Sequence, residues 1–270
     1  MIRLISLEYM KLKNTTFFWL FTGLFAVVLI AVPIFSKYFL DFISDGGPEF
    51  GGLKINDLPF FDFVDIWQNL TYIIKWPAIL LAFIPVISMA NEFRYGTIKQ
   101  NVIDGLSRSE LIISKLLFSG ILSIVFGILV FIIGIYMGLM YSPVTELTFI
   151  VKNLEFIPAF ILVLFGYQVF CLLITLLIKK SGITILLLLF YFFALEAIGY
   201  GIVKWNYEMA EATSFFPMRG MANIIQNPFP KYGLMQVYTE VRFRDLLATL
   251  GHISLYTFLS FWVFNKKDIR

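Results

Sequence analysis

Leu116–Met140 reads LLFSGILSIVFGILVFIIGIYMGLM, a run without a single charged residue. A helix rising about 1.5 Å per residue needs about 20 apolar residues to cross about 30 Å of hydrocarbon. The run is continuously apolar rather than alternating, so in lipid it is a helix and not a barrel strand. Five more stretches have the same character: Thr16–Ser36, Leu70–Ala90, Phe156–Ile178, Gly182–Val203 and Leu246–Phe264. The expectation is an all-α polytopic bundle of about six spans, forming one integral-membrane domain over residues 1–270.

The composition agrees. The chain is 59% hydrophobic and only 14% charged, with a mean hydropathy of +0.84. A soluble domain carries about a quarter charged residues, so the surplus apolar surface needs lipid as its solvent. The net charge of +3 is small, and Lys and Arg lie between apolar runs rather than on one basic face, which sets nucleic acid aside as a partner. One cysteine, Cys171, and one histidine, His252, leave no basis for a disulfide or a cysteine-built metal cage, and no cofactor is implied. Thr16–Ser36 is too long for a signal-peptide core and lacks a cleavage site after it, so it reads as a retained first span.

Orientation follows from the basic residues in the short loops. Arg3, Lys11, Lys13, Arg94, Lys99, Arg108, Lys115, Lys179, Lys180, Lys266, Lys267 and Arg270 fall on the side of both termini, against Lys37, Lys54, Lys75 and Lys152 opposite. Both termini are therefore expected in the cytoplasm. Ahead of the first span, Ile2, Ile5, Tyr9 and Leu12 recur at helical spacing. They suggest an amphipathic helix lying in the interface, or else a charged flank that only orients the span.

The most informative loop is Asn91–Lys115, NEFRYGTIKQNVIDGLSRSELIISK. Thr97 and Gln100 have the spacing of a capping box, and Gly105 stands where a left-handed stop belongs, which predicts a short helix over Thr97–Asp104. Ser107 and Glu110 form a second capping box, opening the helix that becomes the third span. Two turns of helix are not stable alone and need something to dock against. An ordinary re-entry loop is the plainer reading.

These residues resemble the type-2 ABC exporter permeases, bacterial membrane subunits of ATP-driven exporters. In that family an acidic residue after the second span precedes a Gly-Thr pair, a coupling helix, a Ser-Arg pair and a Lys entering the third span. Glu92, Gly96-Thr97, Ser107-Arg108 and Lys115 match those positions. The resemblance implies a permease that pairs with a second permease copy or a homologue, sits in lipid in the bacterial plasma (inner) membrane, and binds a separate ABC ATPase subunit. The ATPase-coupling residues it implies are Glu92, Gly96, Thr97, Gln100, Asn101, Asp104, Gly105, Ser107 and Arg108. It also implies short capping helices between spans five and six, for which Phe215–Asn227 is the candidate.

Independently of the resemblance, the chain has no G-x-x-x-x-G-K-[ST] phosphate loop, H-E-x-x-H or G-x-S-x-G motif, so it carries no recognisable catalytic residues. A non-transporting anchor subunit of a motility, secretion or resistance complex stays open beside the permease.

Glu196 lies within a span and lines a translocation path, pairs with a polar neighbour, or reaches the surface. Lys75, beside Trp76, is a second path candidate or a snorkelling lysine in an aromatic belt. His252 is expected to be a packing residue. Gly120, Gly127, Gly134 and Gly138 are expected to admit close helix packing, within the chain first and between copies second. Pro33, Pro77, Pro85 and Pro158 are expected to kink or end their helices. The aromatic, nearly uncharged spans favour an amphipathic or lipid-like cargo.

Overall fold

The computed structural model describes residues 1–44, 59–233 and 239–266. Asp45, Glu49, Lys54 and Asp57 of the loop after the first span, and Lys267 and Arg270 of the basic tail, lie outside them. The described chain is all-helical: α1 (Ile2–Leu12), α2 (Thr16–Ser44), α3 (Phe63–Ile74), α4 (Ile79–Arg94), α5 (Thr97–Ile103), α6 (Arg108–Tyr141), α7 (Leu147–Ile150), α8 (Phe156–Ile178), α9 (Ser181–Phe190), α10 (Glu196–Trp205), α11 (Arg219–Ala222) and α12 (Phe243–Lys266). A π turn, Tyr191–Leu195, joins α9 to α10, and 3-10 turns cover Tyr207–Phe215 and Phe229–Gly233.

Five helical segments are long and apolar enough to cross a membrane, and α3 with α4 makes a sixth if the bent pair counts as one span. The expected single helix at Leu70–Ala90 is thus broken, its halves meeting at 43°. Pro77 has no amide to donate, and the amides of Lys75 and Trp76 turn back to Thr71 and Ile73, so the helix closes at Ile74 and restarts at Ile79. Pro33 and Pro85, by contrast, end no helix, and Pro158 occupies the first turn of α8, where an amide has no partner to lose.

The α8 helix is the hub, packing against α3, α4, α6, α9, α11 and α12. Gln168 of α8 donates its side-chain amide to the Ser123 hydroxyl (2.9 Å) and the Ser119 carbonyl (3.3 Å) of α6, and Cys171 is buried beside it. α2 and the α9–α10 span lie at the periphery with apolar faces exposed.

Three of the four glycines expected to admit close packing in α6 do so within the chain, whereas a Cβ on Gly120 would meet Phe165 only at an ordinary 3.9 Å. A Cβ on Gly134 would stand 2.6 Å from the Trp67 ring, one on Gly138 would collide with Phe63, and one on Gly127 with Ile161. Trp67 cannot move aside cheaply, because it is fully buried and its indole N–H donates to the Ile150 carbonyl at 2.9 Å. Gly134→Val is expected to destabilise the bundle by about 1–3 kcal/mol through overpacking, whereas Gly23→Ala, whose Cβ meets nothing within 4 Å, leaves stability unchanged or slightly raised. Thermal melting of the two purified variants checks this contrast.

Candidate functional site

At the end of the bundle that carries both termini, Lys115 is buried about a quarter of the way along α6. Burying an ammonium costs several kcal/mol unless charged partners and hydrogen bonds meet it. Here it donates to Glu8 of α1 (2.6 Å), to Glu92 of α4 (2.7 Å) and to the Ser88 hydroxyl of α4 (2.7 Å). Ser88 in turn donates to Glu8 at 2.9 Å, and Lys11, half-exposed, reaches Glu92 at 3.1 Å. Two ammonium groups and two carboxylates balance, and three helices meet at one node.

Glu8 sets the rotation of α1. It shares a stripe with Leu12 that turns inward, while Ile2 and Tyr9 of the expected apolar face stay exposed and Ile5 is half-buried. The carboxylate wins the inward position because only there does it find Lys115.

The node fixes both feet of the loop that carries α5, because α4 ends two residues after Glu92 and α6 begins seven before Lys115. The predicted capping box of Thr97 and Gln100 does not form. Gly96 adopts a left-handed φ of 67° as N-cap without a side-chain cap, Thr97 is already helical, and Gln100 donates instead to Asp104 at 3.1 Å. The turn out of Gly96 starts the helix without a hydroxyl. The stop does form: Gly105 has φ 94°, the Leu106 amide donates to Asn101 and the Gly105 amide to Val102. The second capping box forms in full between Ser107 and Glu110. Arg108 donates to the Asn265 carbonyl of α12 at 3.2 Å, tying the loop to the far end of the chain.

Of the α5 side chains only Ile98 is buried. Val102 and Ile103 are exposed, as are Thr97, Lys99 and Gln100, and so are the flanking Tyr95, Gly96 and Asp104. Glu92 differs from these: it is buried in the node, where it positions the loop rather than facing outward.

At the opposite end, a surface segment containing α11 folds over the spans. Glu196, in the span after the π turn, accepts the amides of Met218 (2.7 Å) and Arg219 (3.0 Å), the free donors at the start of α11. Lys75, in the α3–α4 break, donates to the carbonyls of Ala222 and Ile225 at the other end of that turn. The lysine does not reach out to water. Its side chain is 3% exposed and its ammonium lies 4.2 Å from the Tyr72 ring centre. The two intramembrane charges thus hold one short helix between them. His252 of α12 packs here too, bonded to Tyr256 (2.9 Å) and the Ser214 carbonyl (2.8 Å). Phe215–Asn227, expected as one capping helix, is only partly helical: the 3-10 turn ends in it and α11 has four residues. At the edge of this region Asp62 stands just before α3 without a side-chain capping bond, and its carboxyl is raised above the ordinary range by burial, then by Asp65, with Lys231 opposing.

Sequence reasoning missed Glu8, Ser88 and Lys11 in the node and Arg219 in the cap. Glu8 had a readable signal, a carboxylate on the stripe of Ile5 and Leu12. Arg219 had none, lying in a loop without periodicity.

A many-spanned helical membrane protein with a short helix held at its terminus-bearing end has the form of a transport permease. A protein-family model described as an ABC-2 family transporter protein matches residues 4–195. The chain belongs to that family, and it is an integral multi-pass membrane permease component of an ABC transporter. No curated protein matches the chain.

Two contrasts check this geometry. Lys115→Met leaves two buried carboxylates facing each other and is expected to cost about 3–5 kcal/mol, against under about 1 kcal/mol for Lys37→Met, which breaks the part-exposed pair with Asp41. Equal losses in denaturant melts would show that the node is not a keystone. Lys75→Met, which orphans two carbonyls, is expected to cost about 1–3 kcal/mol and to expose residues 213–227 to protease before the spans unfold.

Proposed function

We propose that this chain is the membrane half of an exporter whose ATP is hydrolysed by a separate ABC ATPase subunit, docked through α5 on the cytoplasmic side. The observation that carries the reading is a helix too short to stand alone, braced by the Glu8–Glu92–Lys115 node on one side, yet left bare on the other. Tyr95, Val102 and Ile103 are 67%, 39% and 77% exposed, ringed by Thr97, Lys99, Gln100 and Asp104. An apolar patch with a polar rim at a loop tip is the composition of a protein-docking site. Gly96 and Gly105 fix how the patch is presented, Asn101 and Ser107 hold the two turns, and Arg108 connects them to α12. The excess of Lys and Arg at this end supports a cytoplasmic placement, with the chain in a bacterial plasma membrane.

A push on α5 is transmitted through Glu92 to α4 and through Lys115 to α6, and these pack on α8. The exposed apolar faces of α2 and α9–α10 suit lipid or a second permease copy, and the path runs between the two copies. Within one copy, Lys75 lines a cavity at the opposite end, and Glu196 supports the turn that walls it.

Val102→Asp and Ile103→Asp are expected to abolish copurification with the cognate ATPase and to lower substrate-stimulated ATP hydrolysis about tenfold or more, with the melting temperature of the permease unchanged. Retained copurification and coupled hydrolysis in both variants would overturn the docking role of α5. A permease that binds the ATPase but never moves cargo in reconstituted vesicles would instead be an anchor subunit.

A further inference from the structure

The end of the bundle away from α5 encloses a cavity of about 600 Å³ between α3, α10, α11 and the start of α12. That is the size of a small-molecule site, about 300–1,000 Å³. Two of its arginines are neutralised: Arg242 pairs with Asp245 at 2.8 Å, and Arg244 with Glu211 at 2.9 Å. Three other cations line it: Lys75, Lys204 and Arg219. Among the described residues none of these three has a carboxylate at ion-pair distance. The Lys75 ammonium touches backbone carbonyls and aromatic rings. Lys204 stands 5.8 Å from the Tyr200 ring centre. The Arg219 guanidinium lies 4.8 Å from the Trp76 ring centre and 5.7 Å from that of Tyr200, and its Nε is buried without a hydrogen-bond partner among the described residues. Glu196, the carboxylate behind the wall, gives one oxygen to the backbone amides of Met218 and Arg219.

Rings soften the burial of a cation, but they do not satisfy its N–H donors. Lys75 gives two donors to backbone carbonyls, but Arg219 keeps a buried donor unanswered, and three cations converging on a partly enclosed space create a positive field that an anionic group would answer. We propose that this cavity is an anion site for a phosphate or carboxylate group, bound by Arg219, Lys75 and Lys204, with the apolar part of the ligand against Tyr72, Trp76 and Tyr200. The inference does not depend on the ATPase partnership, because binding is read on the permease alone.

The test uses the full chain purified in a neutral maltoside detergent, with indole fluorescence as readout because Trp76 lines the cavity. Decyl phosphate is titrated beside decyltrimethylammonium, and inorganic phosphate is added as a competitor. Saturable quenching by decyl phosphate that weakens with salt is expected, with none from the cation. Arg219→Gln and Lys204→Glu are each expected to weaken it about tenfold, the loss of one charge-assisted contact. Lys204 is exposed and among the described residues makes a ring contact alone, so its variant keeps the test valid if Arg219→Gln fails to fold. Displacement by inorganic phosphate identifies a soluble anion as the source, and resistance to it identifies an amphiphile such as a lipid headgroup. Equal binding of the two alkyl ions, no saturable binding of decyl phosphate, or folded variants that both bind like the native chain would each overturn the proposal.

Discussion

A single buried ammonium organises the terminus-bearing end. Lys115 has no access to water, so its charge persists only if carboxylates come to it. Glu8 comes from the first helix and Glu92 from the second span, and Ser88 fills a further donor position. Withdrawing Glu8, Glu92 or Lys115 would unbalance the node, so the relative placement of the three helices is specified far more sharply than apolar packing would require. This matters because α5 has almost no packing of its own. Its position is inherited from Glu92 and Lys115, which flank it in sequence and meet in space.

The opposite end uses the same economy of charge with a different partner. Glu196 and Lys75 do not pair with each other. They satisfy the loose amides and carbonyls of one short turn, α11, from its two ends. A segment too short to be a stable helix is thereby fixed over the spans, where Gly166 lets Met221 approach closely. The cap then becomes a rigid wall, and the cations it presents, Arg219 above all, acquire defined directions.

The helical membrane architecture was legible because lipid makes length and apolar continuity decisive: Phe156–Ile178 appears with the boundaries that the sequence suggests. The Ser107–Glu110 box and the Gly105 stop were legible because both are local devices within one turn. The break at Lys75–Ala78 was harder, since a proline in a span can be tolerated, as Pro85 is, or can end the helix, as Pro77 does. The helix of α1 was legible from its periodicity, but the inward turn of Glu8 was not, because hydropathy assigns carboxylates to water. The long-range partner that draws Glu8 inward lies 107 residues away, and no local rule contains it. The same holds for Lys75, whose carbonyl partners are 147 and 150 residues downstream.

That last separation has a consequence for how the protein is made. A ribosome delivers Lys75 long before Ala222 and Ile225, and Glu196 before Met218 and Arg219. Both spans must therefore enter the bilayer with these polar groups unanswered, Lys75 for 147 residues and Glu196 for 22. Closure of this end belongs to a late stage of biogenesis, once the segment that carries α11 has been made. A nascent chain halted before residue 218 would hold a bundle already latched at Lys115 but still open at the other face.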